Sequence, residues 1–121
     1  MFATFNYTQF PIIYVHLNST IIDDHDFTHF TDEWLQIYKK QQYFTLIFDT
    51  SQISYIPLIY SIRMAQFIQT LKQQPIQYLQ QSIMIITNYF VQTMASIIFK
   101  LQSPVAPVYI ISDKFYIHSI L

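Results

Sequence analysis

The stretch YFTLIFDTSQISYIP, residues 43–57, decides the fold of this chain. It opens with a run of apolar and β-branched residues, which is typical of a strand that is covered on both faces. Asp49, Thr50 and Ser51 then suit a turn, and Pro57 suits the first turn of a helix. A buried strand, a short loop and a helix in this order predict an α/β protein, in which chemistry collects at the carboxyl ends of the strands.

Two strands and a helix precede this stretch. Residues 2–8 and 10–17 are rich in aromatic and β-branched residues, and the short join between them predicts an antiparallel hairpin. The helix that follows begins among aspartates and ends at Lys39 and Lys40, so its charges complement the helix dipole.

The alternation of helix and strand continues to the end of the chain. A helix from Pro57 to about Lys72 leads to the covered strand SIMIITN, the helix YFVQTMASIIFKLQ and the covered strand APVYIIS. A closing helix capped by Ser112 or Asp113 completes the order ββαβαβαβα. This order predicts a single domain over residues 1–121, with a mostly parallel central sheet, an antiparallel N-terminal hairpin and helices packed on the sheet.

Helical spacing predicts which side chains of each helix face the sheet. For the first helix these are Phe27, Phe30, Trp34, Ile37 and Tyr38. For the second they are Leu58, Ile62, Ala65, Ile68 and Leu71, and for the third Phe90, Met94, Ile97 and Leu101.

The composition excludes several classes of protein. Apolar residues make up 52% and charged residues 11% of the chain, and the formal net charge is −1. A chain this apolar is not disordered, and its scattered cations offer no basic patch for nucleic acid. No apolar run is long enough to span a membrane, and the N-terminus lacks the signals of a secretory leader. We therefore expect a cytoplasmic protein with no transmembrane segment and no nucleic-acid partner.

Two residue types are missing, and each absence removes a kind of site. Without cysteine the chain has no disulfide and no thiolate metal site. Without glycine it cannot form the glycine-rich loops that bind phosphates and dinucleotides, because a Cβ blocks the close backbone approach that those loops need. We expect no cofactor.

The chain resembles the STAS family, the sulfate-transporter and anti-sigma-factor-antagonist domains. The resemblance is carried by TLIFDTSQISYI after the first helix, by SPVAPVYIIS before the closing helix, and by the order of elements over nearly the whole chain. It is closest to divergent members described as anti-sigma-factor-antagonist-like. This resemblance implies a small sheet with helices packed against it and a non-enzymatic domain that acts through contacts with other proteins.

One segment departs from the family pattern. Classical members open the helix after this strand with an Asp-Ser-Ser-Gly segment, and a serine there is phosphorylated. Here Pro57, Leu58 and Ile59 stand where the acceptor serine and the glycine would lie, while Ser54 is too early and Ser61 is a turn too late. We therefore expect a divergent member that lacks the phosphoacceptor motif.

The loop after the buried strand is the first candidate site. Asp49, Thr50, Ser51 and Ser54 bring a carboxylate and three hydroxyls to the carboxyl end of a covered strand, where they suit contact with a partner or a ligand. The same residues also form turns through their side chains, and we favour this structural interpretation in a chain without glycine.

Aromatic residues near the same end of the sheet form the second candidate. Tyr55, Tyr60, Tyr89 and Phe90 suit either the wall of a pocket for an apolar ligand or a surface that binds a partner. We favour a mixture of core and partner surface over a pocket.

Metal binding and catalysis have weaker signals. His25 and His29 lie one helical turn apart, a spacing that suits zinc, but no third ligand is evident, so they are only a weak metal candidate. No nucleophile is set in a recognisable elbow, and the chain has a single glutamate, Glu33. We therefore expect no enzymatic activity.

The low charge predicts association. A small globule whose surface lacks charge covers that surface with neutral polar groups or buries it against a partner. Two surfaces are candidates: the edge of the first strand, FATFNYT, and the helix that carries Trp34 and Tyr38. We expect a non-catalytic, STAS-like regulatory domain that forms a homodimer or binds a protein partner. The alternative is a binder of a small hydrophobic ligand or lipid between the sheet and its helices.

Overall fold

The sheet is built around the apolar run that opens the stretch quoted above. A computed structural model describes residues 2–20 and 23–121, and in it this run is the third of five strands. The strands are β1 (Ala3–Asn6), β2 (Ile12–Leu17), β3 (Phe44–Asp49), β4 (Leu79–Ile85) and β5 (Val108–Ile111). They lie in the sheet in chain order, with β1 antiparallel to β2 and every other neighbouring pair parallel. The predicted α/β fold with its N-terminal hairpin is confirmed.

Three helices connect the parallel strands. They are α1 (Asp24–Tyr38), α2 (Leu58–Leu71) and α3 (Tyr89–Leu101). Because consecutive strands are neighbours and such crossovers are right-handed, all three helices lie on the same face of the sheet. The predicted closing helix is a short 3₁₀ helix (Lys114–Ser119), and the predicted cap is correct, since Asp113 Oδ1 accepts the Phe115 N–H at 2.9 Å.

The helix ends form without glycine: Asp and Asn side chains cap two helix starts, and a glutamine forms the turn after α1. Asp23 caps α1 by accepting the Asp26 N–H at 2.8 Å, and Asn88 caps α3 by accepting the Phe90 N–H at 2.7 Å. After α1 the chain turns through Gln41, whose φ of 53° is in the left-handed region that glycine normally occupies.

The main core lies between the three helices and one face of the sheet. Its sheet side includes Val15, Leu46 and Phe48, and its helix side includes Trp34 and Val91. The opposite face of the sheet carries a smaller core of Ile47, Ile83, Ile85 and Ile117. Ile117 belongs to the 3₁₀ helix, so that helix covers the face that α1, α2 and α3 leave open.

Two of the predicted buried stripes are wrong in part. The stripe of α3 is formed by Val91, Ala95 and Ile98, whereas Phe90 and Leu101 are exposed. The stripe of α2 contains Ala65, Ile68 and Leu71 as predicted, but Leu58 and Ile62 are exposed and Ser61 and Phe67 are buried instead. Both helices are apolar around much of their circumference, so spacing alone does not select the face that packs.

The prediction that α1 offers an association surface is also wrong. Trp34 and Tyr38 are each 5% exposed, because the stripe that carries them packs on the sheet. The edge of β1, the other predicted surface, is indeed an edge of the sheet.

Candidate functional site

Two of the predicted residues in the loop after β3, Asp49 and Thr50, make hydrogen bonds that hold the loop and the sheet together. Thr50 is buried, and its hydroxyl donates to the Ile85 carbonyl at 2.8 Å, so it ties β3 to β4. The Ser51 N–H donates to Asp49 Oδ1 at 3.0 Å, which forms a tight turn. The side chains of Ser51 and Ser54 are exposed and are the members of this predicted set that reach solvent.

Asp49 is the centre of a small charged cluster on the face covered by the 3₁₀ helix. Its Oδ2 lies 3.4 Å from Lys114 Nζ and 3.8 Å from His16 Nδ1. Burial would raise the pKa of Asp49, but hydrogen bonds from Ser51 and the ion pair with Lys114 outweigh it and lower that pKa. Asp49 is therefore an ionised carboxylate that joins β3 to the 3₁₀ helix.

We expect the Asp49 carboxylate to stabilise the fold at neutral pH and to lose this effect in acid. Its pKa in the folded protein lies below the ordinary value of 3.8, so the contribution is present above that value and disappears as the pH falls through the lower folded-state pKa. Asp49→Asn should lower the free energy of unfolding by about 1 kcal/mol at neutral pH. Urea unfolding of both proteins measures this, and a difference that persisted well below pH 3.8 would contradict it.

The starts of α2 and α3 present exposed apolar side chains at the carboxyl edge of the sheet. We call this set the carboxyl-edge patch; it consists of Tyr55, Leu58, Ile59, Ile62, Tyr89 and Phe90. The two helices pack along each other, and Ser61 Oγ lies 3.8 Å from Met94 Sδ between them. Tyr89 and Phe90 are 76% and 68% exposed, so α3 begins with two aromatic rings in solvent.

A cavity of about 110 Å³ lies between the helices and the sheet. Aromatic, aliphatic and methionine side chains form nearly all of its wall, including Phe30, Trp34, Phe48 and Met64. Tyr60 and Ser82 are the lining residues with a side-chain hydroxyl. The predicted set of four aromatics is therefore divided, since Tyr60 lines this cavity while Tyr55, Tyr89 and Phe90 are exposed.

Tyr60 extends from this cavity to a polar group at the surface, between the starts of α1 and α2. Its hydroxyl donates to Asp24 Oδ1 at 3.0 Å, and the Arg63 guanidinium donates to the same oxygen. The guanidinium carbon of Arg63 lies 5.4 Å from the centre of the Tyr60 ring. We call Asp24, Tyr60 and Arg63 the cavity mouth.

The charges of the cavity mouth are coupled. The hydrogen bond from Tyr60 and then that from Arg63 lower the pKa of Asp24. Partial burial and then the hydrogen bond to Asp24 raise the pKa of Tyr60, and the charge of nearby Asp23 adds to this effect. Asp24 is therefore ionised and Tyr60 is neutral at neutral pH.

The buried tyrosine of α1 ties that helix to the start of β4. The Tyr38 hydroxyl donates to Gln77 Oε1 at 2.5 Å. Burial raises the pKa of Tyr38 to about 12, against smaller lowering effects of the Trp34 indole N–H and of Gln77. The Trp34 N–H is near enough to act on the phenol but has no hydrogen-bond partner among the residues that the structure describes.

The weak metal candidate, His25 and His29, differs from the group of possible ligands that lie together in the structure. The rings of His25 and His29 lie 6.2 Å apart and stack. Ligand atoms of Asp23, His25 and Asp26 lie within 4.8 Å of one another, without His29. Exposed groups at a helix start often cluster in this way, and Asp23 already serves as the cap of α1.

No family model, no curated protein and no solved structure matches this chain. None of the helices in the described residues is long and apolar enough to cross a membrane.

The sequence interpretation named Tyr60 but missed its two partners in the cavity mouth. Asp24 and Arg63 are 39 positions apart and lie in different helices, so no local pattern connects them. One sequence feature could have indicated it: Arg63 is the one charged residue of α2 and therefore a candidate for an ion pair.

Proposed function

We propose that this chain is a divergent, non-catalytic STAS-like domain that acts in the cytoplasm through protein contacts. The order of its elements and its one-sided layer of helices support this proposal. The observation that carries it is the carboxyl-edge patch, since exposed large apolar side chains that lie together mark surfaces that bind other proteins.

The first partner that we propose for this patch is a second copy of the chain. Residues 50–62 and 73–99, which contain the patch, include no Asp, Glu, Lys or Arg. The patch residues themselves therefore bring no like charges together when two copies meet through them in a two-fold dimer. Aromatic side chains at the centre of such an interface commonly supply most of its binding energy.

Charge placed in the patch should prevent self-association. We expect the unaltered protein to be a dimer at micromolar concentration, and we expect Leu58→Asp and Phe90→Asp each to raise the dissociation constant about thirtyfold or more. Sedimentation equilibrium measures this directly. The matched control is Ile76→Asp, which places the same charge at a residue of similar exposure to Leu58, 52% against 55%, at the opposite edge of the sheet.

Two results would contradict this assignment. A monomeric unaltered protein would remove the second copy as partner. A dimer that survives both patch substitutions but is lost in Thr4→Lys would move the interface to the edge of β1, because a lysine on an edge strand blocks strand pairing.

The cavity favours a second candidate function, the binding of a small hydrophobic ligand between the sheet and the helices. Its wall is almost wholly apolar, and its volume of about 110 Å³ approaches that of cavities that bind benzene, about 150 Å³. Native mass spectrometry of the protein purified from its own cells tests this candidate. A dissociable small mass would support it, and its absence together with a clean dimer would favour protein contact alone.

A further inference from the structure

The cavity has a polar mouth that limits which ligands suit it. Tyr60 has its ring on the cavity wall and its hydroxyl on Asp24, so a single phenol spans the distance from the apolar interior to an exposed carboxylate. Phe27 lines the cavity too and packs on Tyr60, with ring centres 5.7 Å apart. A ligand in the cavity thus has a charged group within reach at one end.

The cavity mouth lies between α1 and α2, whose first turns contribute Phe27 and Tyr60 to the cavity wall. α2 packs closely along α3, whereas α1 meets α2 at few points. Side chains close this gap at the mouth, where Arg63 and Tyr60 both bond to Asp24. The Asp24 side chain is 71% exposed, so solvent and solutes reach it without any movement of the backbone.

The charge at the mouth favours a cation. Asp23, Asp24 and Asp26 crowd the start of α1, and Arg63 is the one cation that bonds to any of them in the described residues. The field of Asp23 reaches Tyr60, since it raises the pKa of that phenol. Lys72, the next cation along the chain after Arg63, follows the far end of α2 and donates to Gln102 and Ser103.

Arg63 shows what the mouth accepts. Its guanidinium lies against the face of an aromatic ring and donates to a carboxylate, which is the arrangement that binds organic cations. We expect an ammonium group in place of this guanidinium to make the same two contacts.

We propose that the cavity and its mouth bind a small arylalkylammonium ion, with its ring among the apolar side chains and its ammonium group on Asp24 and Tyr60. The inference rests on the second candidate function, ligand binding in the cavity. The cavity volume of about 110 Å³ limits the buried part to about one six-membered ring.

Three matched probes test the charge preference: 2-phenylethylamine, 2-phenylethanol and 3-phenylpropanoate. Trp34 is the sole tryptophan and lines the cavity, so its fluorescence reports occupancy, and calorimetry supplies the affinity. We expect the amine to bind about tenfold more tightly than the alcohol, and the carboxylate to bind more weakly than both.

Two substitutions at the mouth should act in opposite directions. Asp24→Asn should weaken the amine about tenfold and leave the alcohol unchanged, while Arg63→Gln should strengthen the amine by removing its competitor. Asp32→Asn, which removes another exposed carboxylate of α1, is the control and should change nothing.

The results of these binding experiments distinguish this inference from the candidate function on which it rests. Equal binding of amine and alcohol, with no effect of Asp24→Asn, would overturn the inference and leave apolar ligand binding intact. Failure of all three probes to alter Trp34 fluorescence or to release heat would overturn both.

Discussion

Replacing Ile47 with Asp should lower the free energy of unfolding by about 4 kcal/mol or more, since it buries a carboxylate without a partner. Ile47 is fully buried in the central strand, and its neighbours across the sheet are Tyr14 and Ile83. Asp49, two residues along the same strand, faces the same side, so the new charge would also meet an existing carboxylate.

Urea unfolding followed by circular dichroism measures this loss. Ile110→Asp is the control, because Ile110 lies on the edge strand and is 45% exposed, and we expect it to cost less than about 1 kcal/mol. An Ile47→Asp protein that unfolds cooperatively near the midpoint of the unaltered protein would contradict the central placement of β3.

The fold could be predicted because local patterns agree with one another along the chain. The run before Asp49 is apolar on both faces of the strand. A strand that buries side chains on both faces implies that the sheet is covered by a layer on each side. Asp113 was one of the two predicted caps of the closing helix, and the aspartates at the start of α1, among which Asp23 is the cap, were predicted to complement the helix dipole.

The faces of α2 and α3 could not be predicted in the same way. An amphipathic helix reveals its buried face because polar residues occupy the other side, and α1 does so through Thr28, Asp32 and Gln36. α3 carries apolar residues on most sides, so Phe90 and Val91 were equally good candidates for the core. The smaller Val91 is buried and Phe90 is exposed, and this choice creates the carboxyl-edge patch.

The candidate site was predictable only where it is local in sequence. The turn at Asp49 and Ser51 follows from turn chemistry. The ion pair of Asp49 with Lys114 and the cavity mouth both join residues far apart in the chain. Such contacts depend on which element covers which face, and that arrangement follows from packing over the whole fold.

Ile117 covers the second face of the sheet from the 3₁₀ helix. This side chain packs on Ile47, Ile83 and Ile85, although it comes from a helix of only six residues. So short a helix has little stability of its own, and its apolar contact holds it in place together with the ion pair of Lys114 and Asp49. Ile117→Ala should therefore lower the free energy of unfolding by about 2–4 kcal/mol.

Phe115 offers a matched control within the same 3₁₀ helix. It is 80% exposed against 6% for Ile117, so Phe115→Ala removes a larger side chain but should change the free energy of unfolding by less than about 0.5 kcal/mol. Urea unfolding compares the two variants, and amide hydrogen exchange of β3 and β4 should accelerate only in Ile117→Ala. Equal effects of the two substitutions would mean that the 3₁₀ helix does not seal this face, and the buried state of Ile47 would then need another cause.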